Sequence, residues 1–239
     1  MDFWKILYPA KCPLCGEARG LEEEADFCPV CRDKLPWISE PCCKHCGKPV
    51  DSVETELCLD CGRKKSLLEA GTALWVYTPE MKMLMMDLKY GGGYQQAEIY
   101  GRALLSRRGS LMRRWGLDAL IPVPLHKRRY GFRGYNQAEL IGRTLAKGLN
   151  LPLWNHHLMR IRHTRPQNGL NDKERVENLK SAFALSEACQ KSISGKNILL
   201  VDDIYTTGTT LEACAHQLKE AGAGKIYFAC LCTGTDARQ

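Results

Sequence analysis

Residues 197–214 read Asn-Ile-Leu-Leu-Val-Asp-Asp-Ile-Tyr-Thr-Thr-Gly-Thr-Thr-Leu-Glu-Ala-Cys. Ile198 to Val201 is an unbroken apolar run, which predicts a strand buried on both faces of a parallel sheet. From Thr209 to Ala221, Leu211, Cys214, Ala215 and Leu218 recur at helical spacing, and Gly222 stands where a C-cap belongs. Between strand and helix lie Thr206, Thr207, Gly208, Thr209 and Thr210. A loop that opens a helix presents backbone N–H groups and the positive end of the helix dipole, and hydroxyls add donors. That makes a phosphate cradle. Asp202 and Asp203 cap the strand just before it, where carboxylates can accept from ribose hydroxyls. Ligands of open α/β sheets bind beyond the carboxyl ends of strands. Acid pair and cradle together predict a sugar phosphate. The bland alternative is a threonine-rich N-cap behind two solvent-facing aspartates. No Gly-Lys-Ser/Thr follows, so this is not a Walker A loop.

A second strand–loop–helix precedes it. Asp118 to Val123 is apolar and ends in Pro122-Val123-Pro124-Leu125. A basic loop, His126 to Gln137, follows with Lys127, Arg128, Arg129 and Arg133, and then Ala138, Leu140, Ile141, Leu145 and Leu149 mark an amphipathic helix. Such a loop suits a pyrophosphate, and the competing reading is a solvated charge run. Further out, Ala73 to Tyr77 reads as a strand. Met81, Leu84, Met85 and Leu88 form a helical stripe of core filler, and Lys89 at its end points to the ligand cleft. Cys230 and Cys232, on a strand at Ile226–Leu231, read as packed thiols, and His156 and His157 as surface residues.

The amino-terminal part is different in kind. Four Cys-x-x-Cys pairs, Cys12/Cys15, Cys28/Cys31, Cys43/Cys46 and Cys58/Cys61, are separated by 12, 11 and 11 residues. Two such knuckles place four thiolates at the corners of a tetrahedron, which suits Zn²⁺. Gly16, Gly47 and Gly62 follow the second cysteine of a pair, where a turn often needs positive φ. Eight thiolates predict two structural zinc ions. Sequential pairing is the simpler arrangement, and spacing alone leaves interleaving open. Cys42 stands beside Cys43 as a competing ligand, at a three-residue gap to Cys46. Thioredoxin-like redox pairs would need a strand–motif–helix setting, which these turn-rich stretches do not offer. Such closed sites staple a segment too small for its own core, and ribbons of this kind also dock nucleic acid or protein.

The chain has 239 residues, 44% of them hydrophobic, enough for a core and too many for disorder. No apolar run spans a bilayer, and Met1 to Pro9 is too short for a secretory signal. This predicts a cytoplasmic protein, where thirteen cysteines are not a disulfide framework. The net charge of +7 is uneven. Residues 1–65 hold 10 basic and 12 acidic side chains, residues 102–165 hold 14 and 2, and residues 166–239 hold 8 and 9.

The order of zinc pairs, Pro-Val-Pro-Leu, Arg133-Gly134-Tyr135-Asn136-Gln137 and the acid–threonine loop resembles the ComF family of competence-associated proteins. The likeness extends over nearly the whole chain, including Lys89 to Gly91, Arg165-Pro166-Gln167, Leu170, Arg175, Asn178, Ala182 and Phe183. It implies an α/β fold: a double zinc-ribbon head (residues 1–65) before a type I phosphoribosyltransferase-like domain (66–239) with a mainly parallel sheet. The ligand would be phosphoribosyl pyrophosphate (PRPP) or a related sugar phosphate, with Mg²⁺ riding on the pyrophosphate. Asp202 and Asp203 would be the catalytic acid pair on the ribose hydroxyls, and Thr206, Thr207, Gly208, Thr209 and Thr210 would hold the 5′-phosphate. Leu125, His126 and Lys127 would form the pyrophosphate loop, with Arg129 and Arg133 as further anion contacts and residues 160–180 as a mobile flap.

Only Thr233 to Gln239 follow the last strand, so no acceptor-recognising stretch is evident. Two readings therefore stand. One is transfer of a phosphoribosyl group to an unnamed acceptor. The other is handling of single-stranded DNA during uptake, alongside other DNA-uptake proteins, with Tyr130, Phe132 and Tyr135 stacking on bases among the cations.

Overall fold

The computed structural model describes residues 11–18, 27–162 and 182–235. Two short helices come first, α1 (Pro29–Lys34) and α2 (Leu59–Arg63). Then follow β1 (Ala70–Val76), α3 (Pro79–Tyr90), α4 (Tyr94–Arg113), β2 (Ala119–Pro122), α5 (Lys127–Arg133) and α6 (Gln137–Leu149). The chain continues through β3 (Leu158–Arg160), β4 (Phe183–Leu185), α7 (Glu187–Ser192), β5 (Ile198–Tyr205), α8 (Thr209–Glu220) and β6 (Ile226–Thr233).

Four strands form one sheet in the order β1-β6-β5-β2, and every neighbouring pair is parallel. All eight residues of β6 are buried, which is why Ile226 to Thr233 shows no polar alternation. β5 begins where the apolar run begins but continues to Tyr205, so Asp202 and Asp203 lie inside the strand rather than capping it. The ladder carries on past them: Asp202 is opposite Cys230, Ile204 opposite Cys232 and Tyr205 opposite Thr233. One face of the sheet is covered by α3, α4 and α6, through Met81, Met85, Leu88, Leu104, Ile141 and Leu145. The methionine stripe is core, as its spacing predicts. On the other face Leu211, Cys214 and Leu218 of α8 pack beside Cys43, Cys46 and Cys58.

The basic stretch after β2 is helical where a loop is predicted. His126 caps α5, its Nδ1 accepting from the Arg128 N–H, and Gly134 ends the helix at φ 78°. Gly131 is thus a helical residue. The head joins the sheet directly. Ile38 N–H donates to Leu74 O, Val76 N–H donates to Pro36 O, and Trp37 bridges Trp75 in antiparallel register. Residues 36–38 thereby cover the open edge of β1. The division predicted at residues 65/66 falls between α2 and β1.

β3 and β4 form a separate antiparallel pair. Of the predicted flap, residues 163–180 lie outside the described residues, as do Arg165, Pro166, Gln167, Leu170, Arg175 and Asn178. Among the described residues no helix is long and apolar enough to cross a membrane.

Candidate functional site

The candidate site lies at the carboxyl ends of the parallel strands. At its centre β5 gives way to Thr206, Thr207 and Gly208, and α8 starts at Thr209. Gly208 has φ 77°, and a Cβ there would lie 2.9 Å from the Tyr205 ring. Conformation and space both require glycine at this position. Gly208 is the N-cap of α8 and supplies no side-chain cap hydrogen bond to its first turn. Thr207 and Thr209 hydroxyls share a hydrogen bond of 2.8 Å.

The acid pair straddles the end of β5, as successive strand residues must. Asp203, 7% exposed, faces α3, where Lys89 Nζ sits 2.5 Å from its Oδ2. Asp202 lies toward Cys214 of α8, and its Oδ1 accepts from the Asp203 N–H at 2.9 Å. Their environments separate their titration. Burial, and then the neighbouring Asp203 charge, push Asp202 well above the ordinary carboxylate range. Burial works against the Asp203 charge too, but the Lys89 cation outweighs it and holds Asp203 below that range. Burial likewise works against the Lys89 cation, and Asp203, then Asp202, outweigh it and raise Lys89. The two carboxyls are thus set apart, Asp203 held below and Asp202 above the ordinary carboxylate range.

The Arg133–Gln137 motif does more building than sequence reading assigns to it. Arg133 donates to Gln137 Oε1 at 3.1 Å and to the Tyr90 hydroxyl at 3.0 Å, and lies over the Tyr90 ring. Tyr135 is 5% exposed; it donates to Leu88 O at 2.6 Å and accepts from Gly93 N–H at 3.0 Å. Tyr135 is therefore a latch on the end of α3, a correction to its predicted role as a stacking surface. Asn136 donates to Val123 O. The motif ties α3, β2 and α6 together and so places Lys89 opposite Asp203. Arg129 is half-buried, with its pKa lowered by burial and then by Arg133. Lys127, Arg128, Tyr130 and Phe132 face solvent, while Leu125 and His126 form the half-buried start of α5. Tyr90, to which sequence reading gave no role, is the residue that holds Arg133; its signal was its place beside Lys89.

The eight cysteines fall into two groups, Cys12/Cys15/Cys28/Cys31 and Cys43/Cys46/Cys58/Cys61, with the sulfurs of each group within 4.8 Å of one another. The pairing is sequential. A tetrahedral zinc with Zn–S of about 2.3 Å places its sulfurs about 3.8 Å apart. Cys15 and Cys28 sulfurs are 3.7 Å apart, and those of Cys46 and Cys58 are 3.6 Å apart. Both clusters fit zinc. Cys42 is outside them: its Sγ donates to Ser39 O, and burial pushes its thiol up to about 11.

These features define a class, a double zinc ribbon joined to a phosphoribosyltransferase-type sheet. The chain matches the double zinc ribbon domain over residues 3–62 and the phosphoribosyl transferase domain over residues 142–239. It is 30% identical over 203 residues to Competence protein F of Haemophilus influenzae, covering 84% of this chain and 87% of that protein. It is 34% identical over 215 residues to Competence protein ComFC of Bacillus subtilis, covering 84% and 81%. It is 31% identical over 233 residues to DNA utilization protein YhgH of Escherichia coli O157:H7, covering 95% and 98%. The chain belongs to the ComF family of competence proteins.

Proposed function

We propose that the chain binds PRPP–Mg²⁺ in this cleft. The carrying observation is the Lys89–Asp203 ion pair at 2.5 Å, set against a cradle that only Gly208 can open. Asp202 and Asp203 hold the ribose hydroxyls. Thr206 to Thr210 and the first turn of α8 hold the 5′-phosphate. The start of α5, Leu125 to Lys127, faces the pyrophosphate with Arg129, and Arg133 braces that side through Tyr90. When bound, Mg²⁺ neutralises pyrophosphate charge. Lys89 pairs with Asp203 and holds it below the ordinary carboxylate range. Grip on ribose and phosphate orients C1′, and the cations stabilise a departing pyrophosphate. Transfer of the phosphoribosyl group would then depend on an acceptor admitted to the same cleft. The reduced cysteine clusters suit the cytoplasm.

A second observation favours single-stranded DNA as a partner of the same region. Phe132 is 81% exposed, lies 6.1 Å from the Tyr90 ring, and stands among Lys127, Arg128 and Tyr130. Cations with exposed rings suit an unpaired strand. The relatives named for competence and DNA utilization agree with this reading.

Titration of PRPP–Mg²⁺ and of an oligodeoxythymidine into wild type, Asp202→Asn/Asp203→Asn and Lys127→Ala/Arg128→Ala/Phe132→Ala tests both. The aspartate variant should lose PRPP and keep DNA. The triple variant should weaken DNA about tenfold or more and flatten its salt dependence. PRPP binding unchanged in the aspartate variant overturns the first reading, and DNA binding unchanged in the triple variant overturns the second.

A further inference from the structure

The second ribbon lies against the underside of the phosphate loop. Lys48, two residues after Cys46, is buried to 3% exposure, pairs with Asp60 of α2 at 2.6 Å, and sits 5.9 Å over the Tyr205 ring. Tyr205 stacks on Phe228 of β6 at 4.6 Å, nearly parallel at 11°. The same ring lies beside Gly208, where an added Cβ would stand 2.9 Å from it. A second strut runs in parallel. Glu212, in the first turn of α8, accepts from the Ser66 hydroxyl and from the Leu67 N–H at 3.1 Å. Ser66 and Leu67 follow the last knuckle. The ribbon itself is seated on β1, where Gly71 N–H donates to His45 O at 2.7 Å.

We propose that the second zinc ribbon, with the segment that leaves it, is the positioning element of the phosphate loop, the ribbon acting through Lys48 and Tyr205 and the segment after it through the Ser66–Glu212 tie. The ribbon is then not merely a staple for its own segment. It holds the Thr206–Thr210 turn and the start of α8 in cradle shape before any ligand arrives. Preorganised donors lose less freedom on binding than donors that must first be ordered.

Glu212 provides a test in which the sign of the effect decides. Removing a negative charge from the first turn of α8 would, by electrostatics alone, favour an anion at that terminus. Loss of the tie predicts the opposite. In full-length zinc-loaded protein, Glu212→Ala and Ser66→Ala should weaken PRPP–Mg²⁺ by about threefold or more and leave two zinc ions per chain. Without ligand, hydrogen exchange at the Thr207 to Thr209 amides should quicken about tenfold in both variants. Tyr205→Phe, which keeps the ring, should match wild type, and Tyr205→Leu should not. Unchanged exchange, or equal or tighter PRPP binding in Glu212→Ala, overturns the proposal. The affinity arm rests on the PRPP reading. Asp202→Asn/Asp203→Asn that still binds PRPP sinks that reading, and the exchange arm judges the positioning role independently.

Discussion

Cys12 is the one buried ligand of the first cluster, with Cys15 exposed and Cys28 and Cys31 half-buried; in the second, Cys43, Cys46 and Cys58 are all buried and only Cys61 is half-buried. The knuckles themselves are alike. Gly16 and Gly47 follow the same cysteine position at φ 75° and 73°. A Cβ on Gly16 would meet nothing within 4 Å, whereas on Gly47 it would lie 3.0 Å from Thr72 Cα and 3.2 Å from Gly71 O. The local motif dictates the turn and the ligand set. What the turn carries depends on what is packed against its glycine: among the described residues nothing lies within 4 Å of a Cβ at Gly16, whereas the β1 backbone crowds one at Gly47.

The largest expected effect separates the two clusters directly. Cys46→Ser should lower the melting temperature by about 10 °C or more, because it removes a metal site that is continuous with the sheet core. Cys15→Ser should lose one zinc per chain at a much smaller cost. Zinc analysis beside thermal melts checks both, and equal melting losses would break the comparison.

Next come the glycines. Gly16→Ala should cost about 1–2 kcal/mol, the strain of left-handed backbone alone. Gly47→Ala should cost clearly more, since main-chain atoms must also move. Denaturant unfolding of the two variants measures the difference.

Zinc release sharpens the same contrast kinetically. A thiol reagent with a colorimetric zinc indicator should liberate zinc in two phases, and Cys15→Ser should abolish the fast one. A single phase would mean that burial does not govern access.

The smallest effect concerns the acid pair above the second ribbon. Asp202 titrates above its ordinary range when folded. Its contribution to stability is therefore present below the ordinary carboxylate value and lost as pH rises through the folded one. Asp202→Asn should raise the melting temperature at neutral pH by about 2–4 °C per kcal/mol recovered. The gain should vanish below about pH 4, while PRPP affinity falls. A gain that does not change with pH would contradict the separated titration of the pair.

Much of this was legible in the chain. Apolar runs at Ile198–Val201 and Asp118–Val123 marked buried parallel strands, and the Cys-x-x-Cys pairs marked both clusters. The acid–threonine loop marked the cleft, because its chemistry is local: a strand end, a glycine turn and a helix start lie within twelve residues. Reading failed where local signals compete. A cation-rich stretch after a proline turn reads as loop, yet His126 caps it and Gly134 ends it as a helix. Tyr135 reads as a stacking ring because alternation with arginines is visible, whereas its partners Leu88 and Gly93 are more than forty residues away.

The sequence by itself determined the buried parallel strands, the four Cys-x-x-Cys knuckles and the glycine turn between β5 and α8, since each follows from backbone preference and short-range spacing. Sequential pairing of the knuckles, the choice of Cys43 over Cys42, the Lys89–Asp203 pair, and the seat of one ribbon beneath the loop were decided only by the tertiary structure. Those contacts join residues distant in the chain, and their energies arise from burial and close approach, which no local pattern encodes.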